Sequence, residues 1–253
     1  MSNSALETEL PGTPSDDNAK ILETGRGNVS MMYVSMSRRH TDGRDAEYLR
    51  WHTLDHRPEQ YRLSGVKSSL RIASTPACRA VRAASDASFD EIDHVMTYFF
   101  EDMEGLQGFS DLAVALNAAD RMQFSLPAVQ QGVYLTDGKL ASPHIKAGAD
   151  VLPWWPAKGI YLLVETGRNG VPEGLCEVPG VAGLWSAGSI PTPYSSAPGG
   201  QKITYLFLDD DPVETAVRLR PVLERSWENS TVRPLLAAPF YVTVPYEWDR
   251  YVP

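Results

Sequence analysis

Apolar positions in this chain fall into short runs of strand period, separated by two longer stretches whose apolar residues recur at helical spacing. In the first half, residues 30–37 (SMMYVSMS) are β-prone and residues 45–56 (DAEYLRWHTLDH) are helical, with Asp42 or Asp45 available as a cap. Residues 65–74 alternate as a strand, and residues 93–102 form a dense β-prone run. A second helix is expected over 104–120, and a strand over 129–138 closes the unit. The order is βαββαβ. The second half offers strands at 159–167, 180–189, 202–211 and 239–248, with a helix at 212–227 between the last two.

The two halves repeat the same order of signals, and two short stretches can be written under one another: MTYFFED under ITYLFLD, and SGVKSSLRIAS under PGVAGLWSAGS. The first match sets Thr97 against Thr204 and Tyr98 against Tyr205. One element is missing from the second half. Where the first has its leading helix, the second has only RNGVPEGLCEVP, whose glycines and prolines oppose helix formation. Candidate chemistry is therefore assigned to the first half. The run Val95, Met96, Tyr98, Phe99, Phe100 leaves little that is polar on either face, so both faces of that strand are expected to be covered, by helices on one side and by the other unit's sheet on the other.

The fold class expected is α+β: two fused ferredoxin-like units with antiparallel sheets packed on each other, and a family resemblance carried by Trp51, Asp55, His56, Pro58 and Arg71 implies that they pack as an intramolecular dimeric α/β barrel. The expected domains are a flexible arm over residues 1–28, a first unit over 29–138, a linker over 139–158 and a second unit over 159–253. The arm is polar, and the Gly/Pro/Ala-rich stretch 137–159 reads as the linker, pinned by Trp154 and Trp155.

Composition narrows the partners. The chain of 253 residues is 43% hydrophobic and 22% charged, an ordinary globular balance. Its formal charge of −9 disfavours nucleic acid and anionic membranes, which are bound through clustered Lys and Arg. No run is apolar and long enough to span a bilayer, and the first residues lack a secretory pattern, so a cytoplasmic location is expected. Cys78 and Cys176 form no CxxC cluster and are expected to be free thiols.

The chemistry concentrates in RWHTLDHRPEQ, residues 50–60. On a helix His52 and His56 share a face near Tyr48 and Leu49, away from Arg50 and Leu54. The functional reading makes His56 the acid/base group, assisted by His52, with Asp55 fixing a tautomer. Its structural counterpart has His56 ending the helix before Pro58 and Asp55 pairing with Arg50 or Arg62. Zinc is a poor fit, because His40, His94 and His144 lie in a loop, at a strand start and in the linker, leaving no evident third ligand. Arg71 is a candidate for holding an anionic or carbonyl oxygen, and Tyr33, Tyr61 and Tyr98 for lining a pocket.

The set Trp51, Asp55, His56, Pro58, Gly65-Val66 and Arg71 resembles the pattern of EthD-like members of the dimeric α/β-barrel superfamily. Ser64 stands where that family often has Pro, whereas Pro179 precedes the second unit's Gly180-Val181. The resemblance implies a small-molecule enzyme, a dehydratase, isomerase, cyclase or cofactor-free monooxygenase, acting on an aromatic or polyketide-like substrate without an organic cofactor. It also leaves room for a non-catalytic binding or accessory protein, for a haem or metal protein using His52 or His56, and for a homodimer of the fused pair.

Overall fold

The computed structural model describes residues 28–122, 124–228 and 230–251. The N-terminal arm expected over 1–28 falls outside this range except for Asn28. No helix among the described residues is long and apolar enough to cross a membrane.

Eight antiparallel strands close into a barrel. From the first half come β1 (Met31–Ser37), β2 (Val66–Ala73), β4 (His94–Phe100) and β5 (Ala128–Ala141), with a two-residue strand β3 (Ala84–Ser85) outside the ring. The second half supplies β6 (Gly159–Thr166), β7 (Val181–Ile190), β8 (Gln201–Leu208) and β9 (Arg233–Val242). The spatial order β2-β4-β1-β5-β7-β8-β6-β9 is closed by pairing of β2 with β9 through Ile72↔Val242 and Ala73↔Tyr241. Within each half the strands lie second, third, first, fourth.

Alternation along the strands builds two layers. Met32, Val34, Phe99, Trp185, Tyr205 and Phe207 belong to the cluster that fills the barrel, and the Thr97 hydroxyl finds a partner there, its Oγ1 lying 2.6 Å from the Tyr205 hydroxyl. The opposite faces are covered by helices. Helix α4 (Met103–Ala118) lays Leu106 and Phe109 on Met31, Tyr98 and Val133, and α5 (Pro212–Trp227) lays Ala216, Leu219 and Leu223 on Leu163, Leu206 and Leu208. Each helix starts on an aspartate cap, Asp102 accepting from the Gly105 N–H and Asp211 from those of Val213 and Glu214. Strand β4 is buried along its whole length, as a run covered on both faces requires.

Several expectations shift. Strand β5 runs through the Asp137-Gly138 turn signal to Ala141, because Lys139 and Leu140 continue the ladder with Trp185 and Leu184 past a register shift. The expected linker therefore begins inside a strand. The rest of the linker packs inward: a 3-10 turn, Ala149–Trp154, places Leu152 in the barrel cluster, and the Trp154 indole N–H donates to the Lys67 carbonyl. Strand β9 starts at Arg233 rather than 239, and pairs through both Pro234 and Pro239, residues that mask a strand in sequence. A short helix α3 (Pro76–Ala80), capped by Thr75, precedes β3 and had no clear periodic signal.

The ladders of the two halves share one feature of the sequence match and depart from another. Val66 pairs with Phe100 and Val181 with Leu208, and each pairing is followed by the same bulge, before Ser68 and before Gly183. This supports the Gly-Val match. It also makes Thr97 the counterpart of Tyr205, one residue away from the sequence match. A slip of one reverses every facing: Tyr98 points outward under a helix, while Tyr205 points into the barrel.

Candidate functional site

The site lies on the outer face of the first half, beneath a segment with no counterpart in the second, where the corresponding stretch holds only the 3-10 turn Leu175–Glu177. That segment is one continuous helix with a wide turn in its middle: α1 (Asp45–Trp51), a π-helical turn (His52–His56), and α2 (Arg57–Gln60). Pro58 does not end it. Proline cannot donate, and its ring would strike the carbonyl of Leu54 in a regular α-helix. The π turn relieves this, with the Arg57 N–H donating back to the His52 carbonyl. The N-cap position is Arg44 without a side-chain cap, so neither Asp42 nor Asp45 serves there.

The buried face carries Tyr48, His52, His56 and Gln60, while Arg50 and Leu54 face solvent as the helical spacing predicts. An ordinary α-helix advances such an every-fourth-residue row by about 40° per step. The wider turn in the middle steps it back, so that Tyr48 reaches Arg71 of β2, His52 and Gln60 reach Tyr98 of β4, and His56 lies against Gln60 and His52.

The contacts orient one another. The Tyr98 hydroxyl donates to Gln60 Oε1. It must then accept from His52 Nε2, 3.1 Å away, so that His52 carries its proton on Nε2. The Gln60 amide Nε2 lies 2.9 Å from His56 Nε2 and donates to it, so that His56 carries its proton on Nδ1. The two imidazoles are thus held in opposite tautomers. Their ring centroids are 5.5 Å apart, and Trp51 stacks on His56 at 4.9 Å with planes 10° apart.

Both rings are kept neutral. Burial, reinforced by the positive charge of Arg71 and by His56, drives His52 well below the ordinary histidine range. Burial also lowers His56, against the opposing pull of the Asp55 carboxylate. The Tyr98 hydroxyl is pushed far upward by burial and stays protonated. Arg71, 3% exposed, reaches in from β2, its Nη2 donating to the Tyr48 hydroxyl at 2.9 Å and its guanidinium lying 5.0 Å from that ring's centre. Beside it, His94 Nε2 meets Asp45 Oδ1 at 2.7 Å. Burial alone would raise Asp45, but the His94 ring and the His40 backbone N–H overcome it and hold the carboxyl below its usual range.

Of the residues singled out from sequence, His52, His56, Tyr98, Arg71 and Trp51 come together. Asp55 does not: it pairs with Arg121, rather than with Arg50 or Arg62, and makes no hydrogen bond to either imidazole. Tyr61 is 46% exposed, bonded to Ser69 at 2.6 Å. Tyr33 sits one strand from Tyr98, separated from the histidines by Phe109, whose ring is 4.6 Å from Tyr98 and 5.8 Å from Tyr33. Sequence reasoning missed Gln60, Tyr48, Asp45 and His94. The row 48, 52, 56, 60 was the available signal for two of them.

Two cavities open elsewhere on the first half, and neither is lined by the histidines, Tyr98 or Arg71. One of ≈ 560 Å³ opens where Gly65 meets Gly105 at the start of α4, and one of ≈ 380 Å³ lies between α4 and loop 191–200, walled by Tyr33, Phe109 and Tyr194. Among the described residues no three His, Cys, Asp or Glu side chains come together to hold a metal ion.

No protein-family model matches the chain, and no curated protein matches it. Solved structures do resemble it. A provisionally named monooxygenase from Fusobacterium nucleatum superposes with a TM-score of 0.50 at 8% identity, covering 85% of this chain and 92% of that one. An anthrone oxidase-like protein gives 0.48 at 10% identity over 87% and 93% of the two chains. A second provisionally named monooxygenase, from Lactobacillus acidophilus NCFM, gives 0.40 at 12% identity over 85% and 94%. At such identities the likeness is one of fold alone: a closed antiparallel barrel with helices on its outside.

Proposed function

We propose that this chain is a small-molecule enzyme that moves a proton with its two histidines. The observation that carries the reading is the run of contacts from His52 Nε2 through the Tyr98 hydroxyl and Gln60 to His56 Nε2, which assigns the two rings opposite tautomers. With its proton held on Nε2 by Tyr98, His52 presents a bare Nδ1 lone pair, buried and without a partner. His56, with its Nε2 occupied by Gln60, presents an Nδ1–H. One ring is set to take a proton from a substrate C–H, the other to give one to the oxygen where charge develops. This order reverses the expectation from sequence, in which His56 leads. Gln60 and Tyr98 act as positioning residues, and Trp51 fixes the plane of His56.

Abstraction of a proton beside a carbonyl is the shared first step of dehydration, isomerisation, cyclisation and cofactor-free oxygenation, and the reading stops at that step. The aromatic side chains around the histidines suit an aromatic or polyketide-like substrate. Haem fits poorly, since Tyr48, Trp51 and His56 stand with ring centroids 5.8, 6.2 and 5.5 Å from that of His52, in the space a porphyrin would need. We also read the shared strand order and the shared bulge as an internal duplication of EthD-like type, with the second half serving as a built-in partner.

The test is hydrogen–deuterium exchange at the acidic carbon of an enolisable polycyclic ketone such as anthrone, in heavy water. The protein should accelerate it, and His52→Gln and His56→Gln should each reduce the acceleration by about 100-fold or more. Acceleration that survives both substitutions would exclude the mechanism, as would its absence from the wild type across a panel of such ketones. A ligand that binds without any exchange would make the protein an accessory binder.

A further inference from the structure

Arg71 is a buried charge without a counter-charge. Its Nη2 has only the neutral Tyr48 hydroxyl, its Nε has no hydrogen-bond partner, and no carboxylate of the described residues forms an ion pair with it. The carboxylates of the covering helix are spoken for: Asp45 by His94 and the His40 backbone N–H, Glu47 by Arg44, Asp55 by Arg121, and Glu59 by Arg62 and Arg121. A guanidinium taken out of water and left unpaired is strongly unfavourable, and the π face of Tyr48 compensates only part of that. A further donor is left over in the same place. Trp51 Nε1 is buried without an acceptor, in the ring cluster that also holds His52 and Tyr48.

We propose that Arg71 is the counter-charge for an anionic oxygen on the bound molecule, so that the site selects aromatic acids, phenolates or enolates over neutral aromatics of the same shape. The inference rests on the proton-transfer reading of the site and adds the charge of its ligand. A planar fork with free N–H groups suits two oxygens of a carboxylate, or an enolate oxygen and its neighbour. The placement also fits neutral histidines in the empty site, since a second cation beside Arg71 would be repelled. Helix α1 covers Arg71, so admission of the anion requires that helix to shift, and the π turn beside it is where the hydrogen-bond ladder is already irregular.

Thermal unfolding in the presence of benzoate, 2-naphthoate and their neutral amides tests this without any turnover. In the wild type the acids should raise the midpoint and bind at least about tenfold more tightly than the amides by calorimetry. In Arg71→Met that preference should vanish, Arg71→Lys should keep part of it, and the ligand-free midpoint of Arg71→Met should equal or exceed that of the wild type. Acid preference surviving in Arg71→Met, equal binding of acids and amides, or no stabilisation of the wild type by either acid overturns the proposal. A ligand-free Arg71→Met protein that is much less stable overturns it as well, by making Arg71 a structural residue. His52→Gln and His56→Gln should keep the preference while losing exchange. Loss of exchange without acid preference would therefore defeat this inference and leave the proton-transfer reading standing, and the converse pattern would do the reverse.

Discussion

At the scale of single residues, the site shows how a neutral imidazole is made and what it costs. His52 is surrounded by rings, faces the Arg71 charge, and is given one donor role and one empty acceptor. In the unfolded chain the same histidine titrates near 6.5. Below that value the unfolded state takes up a proton that the folded state refuses, so stability is complete above about pH 6.5 and falls as the pH drops toward the folded value. The loss is up to about 1.4 kcal/mol per pH unit for each such histidine. Urea unfolding between about pH 7.5 and pH 5 should show this slope, and His52→Gln should flatten it by up to one proton. A wild-type stability that stays level across the window would contradict the neutral assignment. The residues that create this environment were unevenly legible. His52 and His56 announce themselves by type and spacing. Gln60 does not, because a glutamine after a proline reads as a loop until the π turn lets the helix pass Pro58. Asp45 and His94 are 49 positions apart and only the barrel brings them together.

At the scale of elements, the position of the site depends on how closely α4 can approach the turn before β2. A Cβ added to Gly105 would stand 2.9 Å from the Gly65 Cα, and one added to Gly65 would stand 2.3 Å from the Gly105 Cα. These are backbone atoms, which cannot turn aside. Gly105→Ala should therefore push α4 outward, loosen Phe109 from Tyr98, and destabilise by about 1–3 kcal/mol or more. Gly108, in the same helix, has nothing within 4 Å of an added Cβ. Gly108→Ala should instead stabilise, by about 0.5–1 kcal/mol, because a helical alanine loses less entropy. Chemical denaturation of the two variants checks the contrast, and equal effects would mean that the helix seat is not set by backbone contact. Helices and strands with clean period were legible in sequence, including the fully covered β4. Boundaries failed where a breaker residue is tolerated by tertiary context: Gly138 inside β5, Pro234 and Pro239 inside β9, Pro58 inside the leading helix.

At the scale of the whole molecule, the barrel depends on two joins between the halves: the long ladder of β5 with β7 and the short pairing of β2 with β9. The order of elements foretold this architecture, since a unit with one face under helices needs a second sheet for the other. The match of MTYFFED with ITYLFLD is offset by one residue from the correspondence of the ladders, because the two stretches agree in composition while their alternate positions face opposite ways. Corrected, it sets Thr97 opposite Tyr205, small against large, with their hydroxyls 2.6 Å apart inside the barrel. Exchange of the two should show what the pairing does. Tyr205→Thr leaves a hole and should cost about 3 kcal/mol, and Thr97→Tyr crowds the centre and should cost about 1–3 kcal/mol. The double exchange should recover about 0.5–3 kcal/mol relative to the sum of the two. Simple additivity in thermal and urea unfolding would refute the complementarity. That complementarity carries a consequence for how the halves recognise each other. The knob comes from one half and the socket from the other, so the inner face of each half is completed by a residue unlike its own.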